Sequence, residues 1–313
     1  MVDRKLPSLF EERLRSILPQ ERLADVLLSF TLLRPWTVRI NTLKMERASL
    51  LKILEERGIG FSEVAWCSEA LIFGGIPAVD DLIQQGLIYR QNLSSLLPVL
   101  ILDPRPGENV LDMCAAPGSK TTQMSALMKN QGSIVALESV RDRFYKLKSV
   151  VELLGAKNVS LKWTDARRFR LSTGAEGFDK ILVDAPCSTE GRFSCHDAKS
   201  FGYWSLRKIK EMVHKQKGLL LHATRLLKPG GTLVYSTCTF APEENEGVVD
   251  WVLRKTEGQL QVVASEIADV KTYPTLMSWE GKDFDSQVKN AVRVLPDETM
   301  EGFFVAKFVK EGF

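Results

Sequence analysis

Two cysteines stand where a nucleophile would be useful: Cys187 in Asp184-Ala-Pro-Cys187-Ser and Cys238 in Tyr235-Ser-Thr-Cys238-Thr. Each follows a short apolar run with the character of a buried strand, Lys180-Ile-Leu-Val-Asp184 and Gly231-Thr-Leu-Val-Tyr-Ser236. Open α/β sheets place ligands and chemistry at strand ends. Two thiols at one rim point to covalent catalysis, because a thiolate is the strongest nucleophile a side chain offers near neutral pH. Both residues also fit as small core side chains, which is how most cysteines are used.

A third element of the pattern is the turn Leu111-Asp112-Met113-Cys114-Ala115-Ala116-Pro117-Gly118-Ser119-Lys120, between an apolar run and a helical one. A strand, a turn of small residues and a helix N-terminus bring backbone N–H groups against a polar ligand. The turn matches neither Gly-x-Gly-x-x-Gly nor a Walker loop, so ATP hydrolysis is poorly supported. The next strand ends at Glu138, placed to accept from two ribose hydroxyls; Asp165 follows the strand after that, suited to an adenine amino group, and Asp184 closes the fourth. Each acid alone also fits a helix cap. Their succession suits S-adenosylmethionine.

The elements that must position these residues are readable from periodicity. From about residue 104, apolar runs alternate with helical segments: 109–113, a helix from 119, 133–137, 141–154, 159–163, 180–183, 206–227, 232–235, 243–255 and 260–264, with Gly302–Phe308 as a closing edge strand. That order predicts an α/β fold, a Rossmann-like doubly wound, mostly parallel sheet with helices on both faces. Residues 1–95 mix short helices (23–30, 48–57) with weak strands (36–40), a small α+β domain before a catalytic domain over 96–313.

Length and composition agree. At 313 residues, 44% apolar and 26% charged, the chain suits a large globular core. It has no apolar stretch of membrane-spanning length and no signal core behind Met1-Val-Asp-Arg-Lys. Five widely spaced cysteines form neither a disulfide framework nor a paired zinc motif, so no metal and a reducing cytoplasm are expected. Net charge is only +3, but Lys199–Lys217 carries six basic residues against Glu211 alone, and Arg141–Arg170 nine against three acids. Such patches track a phosphate backbone, or equally form solvated helix faces.

Taken in order, Asp112-Met-Cys-Ala-Ala-Pro-Gly-Ser-Lys-Thr121, Asp184-Ala-Pro-Cys-Ser188, Tyr235-Ser-Thr-Cys-Thr239, Glu243-Glu-Asn-Glu246 and Glu301-Gly-Phe-Phe-Val-Ala-Lys307 resemble the Sun/Fmu family of RNA cytosine-5 methyltransferases, as do Val38–Leu43 and Gln91–Ser95. The resemblance runs from about residue 35 to the C-terminus. It implies a Rossmann-like fold, S-adenosylmethionine as donor and RNA as acceptor; rRNA is favoured ahead of tRNA, a cytoplasmic location (mitochondrial or nuclear if eukaryotic) is expected, and a monomer is one possibility that the sequence leaves open. It also implies Cys238 as nucleophile, Cys187 as the thiol that assists product release, and cofactor contacts from Cys114 to Lys120, Glu138, Arg143, Asp165 and Asp184. The chain departs from the pattern after Ser188, where it reads Thr189-Glu190-Gly191-Arg192-Phe193-Ser-Cys195-His196, and at Pro296-Asp297.

The implied chemistry adds the Cys238 thiolate to cytosine carbon-6, so that carbon-5 becomes enamine-like and takes the methyl. Asp184 would touch the N3/N4 edge, as a protonated carboxyl donating to N3, and Lys120 would orient the cofactor or lower a thiol pKa. Phe193, Tyr203 and Trp204, near the basic 199–217 stretch, offer stacking platforms for an unstacked base or serve as core. Two alternatives keep the fold: a methyltransferase for another nucleobase or a protein side chain, with the cysteines as packing, and a non-catalytic RNA-binding or assembly factor.

Overall fold

The computed structural model describes residues 5–174 and 176–312. The chain opens with two amphipathic helices, α1 (Ser8–Ile17) and α2 (Gln20–Ser29). Their buried side chains, Phe10, Leu14, Leu23, Val26 and the adjoining Phe30, pack against Phe193, Phe240 and Leu295 from the later half of the chain. Next come β1 (Trp36–Ile40), α3 (Arg47–Glu56), β2 (Ser62–Val64), β3 (Cys67–Phe73), α4 (Asp80–Gln84) and β4 (Ile88–Arg90). The strands form an antiparallel sheet in the order β2-β3-β1-β4. Alternation in Val38-Arg39-Ile40 sends Val38 and Ile40 toward Leu50, Leu54 and Leu82 of the helices. Arg39 points the other way, a fact with consequences below.

A short 3-10 turn leads into α5 (Leu97–Leu102), and the large sheet begins. It is built from β5 (Asn109–Asp112), α6 (Ser119–Leu127), β6 (Ser133–Glu138), α7 (Arg141–Leu154), β7 (Val159–Trp163), β8 (Phe178–Asp184), α8 (Leu206–Leu226), β9 (Leu227–Thr237), α9 (Glu246–Thr256) and β10 (Leu260–Val263). A two-stranded hairpin, β11 (Ser278–Trp279) with β12 (Lys282–Asp283), precedes β13 (Val292–Val294) and β14 (Phe303–Lys310). Strand order is β10-β14-β9-β8-β5-β6-β7, with β13 paired to β14. Pairing from β9 through β7 is parallel, and β14 and β10 are antiparallel additions. This is the doubly wound α/β sheet that the run order predicts.

Both faces are covered. Val110, Leu182, Val234 and Val305 lie under α5 and α6, and Leu111, Ile181, Leu233 and Phe304 under α8 and α9. Strands buried on both faces read as continuous apolar runs rather than alternating ones. That explains one correction: Phe303–Lys310, expected at the edge, lies inside the sheet between β9 and β10, with Phe303 and Val305 on one face and Phe304, Ala306 and Phe308 on the other. A second correction concerns α9, which starts at Glu246 rather than Glu243, because Glu244 is drawn into a buried hydrogen-bond network and Asn245 adopts a non-helical backbone.

Strand order reverses between β5 and β8, since β6 and β7 lie to one side of β5 and β8 and β9 to the other. A crevice opens at the carboxyl ends of the strands at such a reversal. Asp112, the last residue of β5, lies in its floor, 1% exposed, accepting from Thr121 Oγ1 at 2.7 Å and from the Cys114 N–H at 3.3 Å. Burial pushes its carboxyl from an ordinary value of 3.8 up to about 6. The folded protein therefore prefers the protonated form, and the contribution of this group, full below its ordinary value, is lost as pH rises through about 6. Asp112→Asn, uncharged throughout, is expected to gain about 2–3 kcal/mol on wild type between about pH 4 and pH 8 in urea melts. A difference that stays flat with pH would contradict the assignment.

Candidate active site

β8 and β9 run parallel with Asp184 beside Ser236, and the Ala185 N–H donates to the Ser236 carbonyl at 2.9 Å, extending the pairing one residue past the strand. The chain leaves the two strands in step, so Cys187, three residues beyond Asp184, and Cys238, two beyond Ser236, arrive together. Their sulfurs are 3.4 Å apart, both half-buried at the wall of one cleft. Contact with Cys238, then burial, hold the Cys187 thiol well above its ordinary range, so Cys187 keeps its proton.

Beside the thiols stands an ion pair. Lys120, on the first turn of α6, donates to Asp184 Oδ2 at 2.7 Å and to Ser95 Oγ at 2.8 Å, with its ammonium 5.7 Å from the centre of the Phe303 ring. The other carboxylate oxygen accepts from Ser236 Oγ at 2.8 Å. The lysine expected to tune a thiol is thus engaged with the acid, bridging the turn after β5 to the end of β8.

The cleft has a volume of about 780 Å³. Cys114, Ala115, Ala116, Pro117, Ser119, Lys120, Glu138, Arg143, Asp165, Asp184, Cys187 and Cys238 all line it. Gly118, also expected there, lies behind the wall; its φ of 111° is a left-handed conformation, and a Cβ would meet Val150 at 3.1 Å. The turn carries a cis Ala116–Pro117 peptide and is tied down by Arg143, which donates to the Ala116 carbonyl at 2.8 Å. Glu138 Oε1 accepts from the Ser139 and Val140 N–H groups, both at 2.8 Å, whereas Oε2 has only a 3.4 Å ion pair to Arg143. That oxygen retains acceptor capacity for hydroxyls in the cleft. An anionic acceptor, a backbone-lined turn and a helix start on one wall fit an adenosyl ligand. Asp165 is less free than its position implied: Arg167 donates to both of its oxygens, Nε at 3.0 Å to Oδ1 and Nη2 at 2.6 Å to Oδ2.

Of the three aromatics singled out as stacking platforms, Phe193 is excluded. It is fully buried, its ring 4.8 Å from that of Phe10 and 5.8 Å from that of Phe201, because the segment after Ser188 turns inward to receive α1. Trp204 packs in the same cluster and donates to Glu190 Oε1 at 2.8 Å. Tyr203 alone is free for a base, at 88% exposed. Cys67 and Cys195 are buried away from the cleft, and among the described residues no group of three or more His, Cys, Asp or Glu could hold a metal ion.

Several cleft residues carry no signal that spacing could have supplied. Ser95 and Ser236 appear only as members of quoted motifs, yet both bond the Lys120–Asp184 pair. Arg192 and Glu301, 3.4 Å apart, line the same cleft as the thiols from segments distant from one another in sequence. Gly191 and Gly302 bring those segments into contact: Gly302 N–H donates to the Gly191 carbonyl at 3.1 Å and Gly191 N–H to the Cys238 carbonyl at 3.0 Å. A Cβ on either glycine would collide with backbone or with Phe240.

Known proteins share this architecture. The 16S rRNA methyltransferase RsmB/F family matches residues 99–309, and the ferredoxin-like domain of the same proteins matches residues 6–80. A tRNA (cytosine(49)-C(5))-methyltransferase of Pyrococcus abyssi is 38% identical over 89% of this chain and 88% of its own length. A ribosomal RNA small subunit methyltransferase F of Shewanella loihica is also 38% identical, over 89% of this chain; the chain spans only 57% of that protein. The crystal structure of a methyltransferase homolog from Pyrococcus horikoshii superposes with a TM-score of 0.83 at 34% identity, covering 97% of this chain and 95% of that one. On the family match and these identities, the chain belongs to the 16S rRNA methyltransferase RsmB/F family.

Proposed function

We propose that this protein methylates carbon-5 of a cytosine in RNA, using S-adenosylmethionine and the Cys238 thiolate as nucleophile. The observation that carries the reading is the pair of sulfurs 3.4 Å apart beside the Lys120–Asp184 ion pair, on the wall of a cleft whose other side suits an adenosyl group. A methyltransferase for an acceptor that is already nucleophilic has no need of two thiols at that point.

Carbon-5 of cytosine is a poor nucleophile. Attack of the Cys238 sulfur on carbon-6 forms an S–C bond and moves the electron pair of the 5,6 double bond toward the ring N3 edge. Asp184 and Lys120 lie in the same cleft as the two thiols, which supports a role for the pair in supplying a proton or a hydrogen bond to N3 as charge builds. The turn at Cys114–Lys120, with Glu138 and Arg143, would hold S-adenosylmethionine, which when bound would supply an electrophilic methyl for carbon-5. The carbon-5 proton must then leave and the S–C6 bond must break, returning the electron pair to the sulfur. Cys187 suits the proton-taking role for a physical reason. Contact with Cys238 is the first cause of its raised pKa, and that cause disappears while the Cys238 sulfur is bonded to carbon. Burial and Glu244 still raise the thiol at that stage, so the support for Cys187 in this step is its place, with its sulfur 3.4 Å from that of Cys238.

RNA is the acceptor class that the cleft mouth favours. Arg143, Arg167, Arg192, Lys208 and Lys215 ring it, and exposed Tyr203 lies just before α8, which carries the two lysines. Cationic side chains track phosphates, and an exposed ring stacks a displaced base. Similar relatives act on tRNA and on rRNA, and both remain acceptors for this chain. We read residues 1–95 as the part that presents RNA and 96–313 as the methyl-transfer domain, acting in the cytoplasm, where both thiols stay reduced.

With labelled S-adenosylmethionine and unmodified RNA, Cys238→Ala is expected to give neither methylation nor a denaturation-resistant protein–RNA adduct, whereas Cys187→Ala accumulates the adduct on a gel. Normal methylation by both variants would contradict the reading. Removing the Glu138 acceptor with Glu138→Ala is expected to weaken cofactor affinity about tenfold or more by calorimetry, at roughly one hydrogen bond to a charged group. Tyr203→Ala is expected to weaken RNA binding by about 1–3 kcal/mol in a filter assay, while Phe193→Ala loses stability instead, by about 3–5 kcal/mol.

A further inference from the structure

Behind the two thiols lies a pair of titratable groups that this chemistry does not use. Glu190 and Glu244 are 1% and 0% exposed. Ser188, next to Cys187, and Thr239, next to Cys238, meet Oγ to Oγ1 at 2.7 Å. Thr239 Oγ1 is 2.9 Å from Glu190 Oε2, and Ser188 Oγ touches Glu244 Oε1. An unbroken chain, Glu244–Ser188–Thr239–Glu190, therefore joins the two cysteine loops from below.

Counting protons fixes its charge state. The chain has three oxygen–oxygen hydrogen bonds, and its two hydroxyls bring two protons, so the third proton sits on a carboxyl. The flanking donors say which one. Glu190 Oε1 accepts from Trp204 Nε1 at 2.8 Å, and Oε2 from the Phe240 N–H at 3.0 Å as well as from Thr239. Both of its oxygens face donors, as an ionised carboxylate requires. Glu244 Oε2 accepts from Ser188 N–H at 3.0 Å and from Gln216 Nε2 at 2.7 Å. Glu244 Oε1 faces the Ser188 hydroxyl, whose proton goes to Thr239, and has beyond it only a long 3.4 Å contact from the Ser188 N–H. Burial raises both carboxyls, Glu244 up to about 8 with the charge of Glu190 adding to the shift, while the Trp204 and Thr239 donors and the charge of Arg13 pull Glu190 back toward the ionised form.

We propose that protonated Glu244 and ionised Glu190 are positioning residues for methyl transfer, holding the Cys187 and Cys238 loops in one alignment through Ser188 and Thr239. The proposal rests on the function read above. When Glu244 loses its proton, two protons remain for three contacts, one link breaks, and two like charges share a buried pocket. The titratable groups facing Glu244 are Glu190, the Cys187 thiol and the Tyr235 phenol, whose hydroxyl donates to the Glu244 main-chain carbonyl at 2.6 Å. The thiol and the phenol are both held well above their ordinary values, the first chiefly by Cys238 and the second by burial.

The test compares matched isosteres. Steady-state kcat and KM for transcribed, unmodified rRNA and tRNA would be measured across pH for wild type, Glu244→Gln, Glu190→Gln and Thr239→Val, with thermal melts for each. In Glu244→Gln the amide donates where the acid proton lay and accepts where the carboxyl oxygen accepted. It is expected to keep kcat within about threefold and to lose the fall in kcat above about pH 8 expected of wild type. Glu190→Gln sets an N–H against the Trp204 or Phe240 donors, and Thr239→Val cuts the chain, leaving Glu190 with its Trp204 and Phe240 donors alone. Each is expected to lower kcat about 10- to 100-fold at unchanged KM, the scale of a misplacement of about 1 Å. If Glu190→Gln fails to fold, the other two variants decide. Wild-type kcat in Thr239→Val, or an alkaline limb that persists in Glu244→Gln, would overturn the proposal. Infrared spectra taken at about pH 7, where Asp112 has given up its proton and Glu244 has not, separate this failure from failure of the functional reading: the carbonyl band of a protonated carboxyl should be present in wild type and absent in Glu244→Gln whether or not the RNA is methylated. Its persistence in Glu244→Gln would place the proton elsewhere and overturn the assignment.

Discussion

The parallel pairing of β8 with β9, Asp184 beside Ser236, is the constraint on which the rest depends. A slip of one residue would turn every side chain of a strand to the opposite face. Here both faces are filled, Leu182 and Val234 under α5, Ile181, Leu233 and Tyr235 under α8 and α9, so the register is set by the core rather than by the site. The thiols inherit that precision: their 3.4 Å approach follows from two loops leaving a fixed register in step. Packing energy spent on the sheet thus becomes alignment at the rim.

A second set of contacts ties the cofactor wall to the acceptor wall. Lys120 starts on the turn after β5 and ends on Asp184 at the tip of β8. Ser119 and Thr122, its neighbours on α6, are gripped from the small N-terminal sheet. Arg39, 2% exposed, donates to Gln91 Oε1 at 3.0 Å, to Thr122 Oγ1 at 2.9 Å and to the Ser119 carbonyl at 3.4 Å. Burial lowers Arg39 to about 10, so it keeps its charge at neutral pH and its donors stay committed. A buried guanidinium stripped of these acceptors would be costly, so the small sheet braces the helix that carries Lys120. On the opposite side α1 and α2 pack on Phe193 and Phe240, backing the segments that follow the two cysteines.

Much of this was legible in the chain. Apolar runs of strand length separated by helical ones located the sheet, and Cys187, Cys238, Lys120, Asp184 and Glu138 were visible as polar residues at run ends, where a fold of this class must place them. What stayed hidden depends on contacts between distant segments. The interior position of β14 is a matter of pairing partners, which periodicity along one strand does not encode. Phe193, among polar and charged neighbours, fits a stacking platform or the core equally well in sequence, and α1, more than 160 positions earlier, decides it by covering the ring. Asp165 is occupied by Arg167 two residues away, a pairing that local spacing permits but does not require. Neither Glu190 nor Glu244, which falls in the helical run 243–255, carries a local signal of burial; only the fold reveals that both are buried and joined through two hydroxyls.

The central claim is that the sulfur of Cys238, and not that of Cys187, bonds to the base. RNA transcribed with 5-fluorocytidine tests it directly, because once carbon-5 is methylated the fluorine cannot leave as a proton does and the S–C6 bond is arrested. Wild-type protein would be incubated with this RNA and S-adenosylmethionine, digested, and the nucleotide-bearing peptide sequenced by mass spectrometry. The account requires the modified peptide to contain Cys238, with the added mass on that residue. Attachment at Cys187, or methylation with no arrested complex, would contradict it.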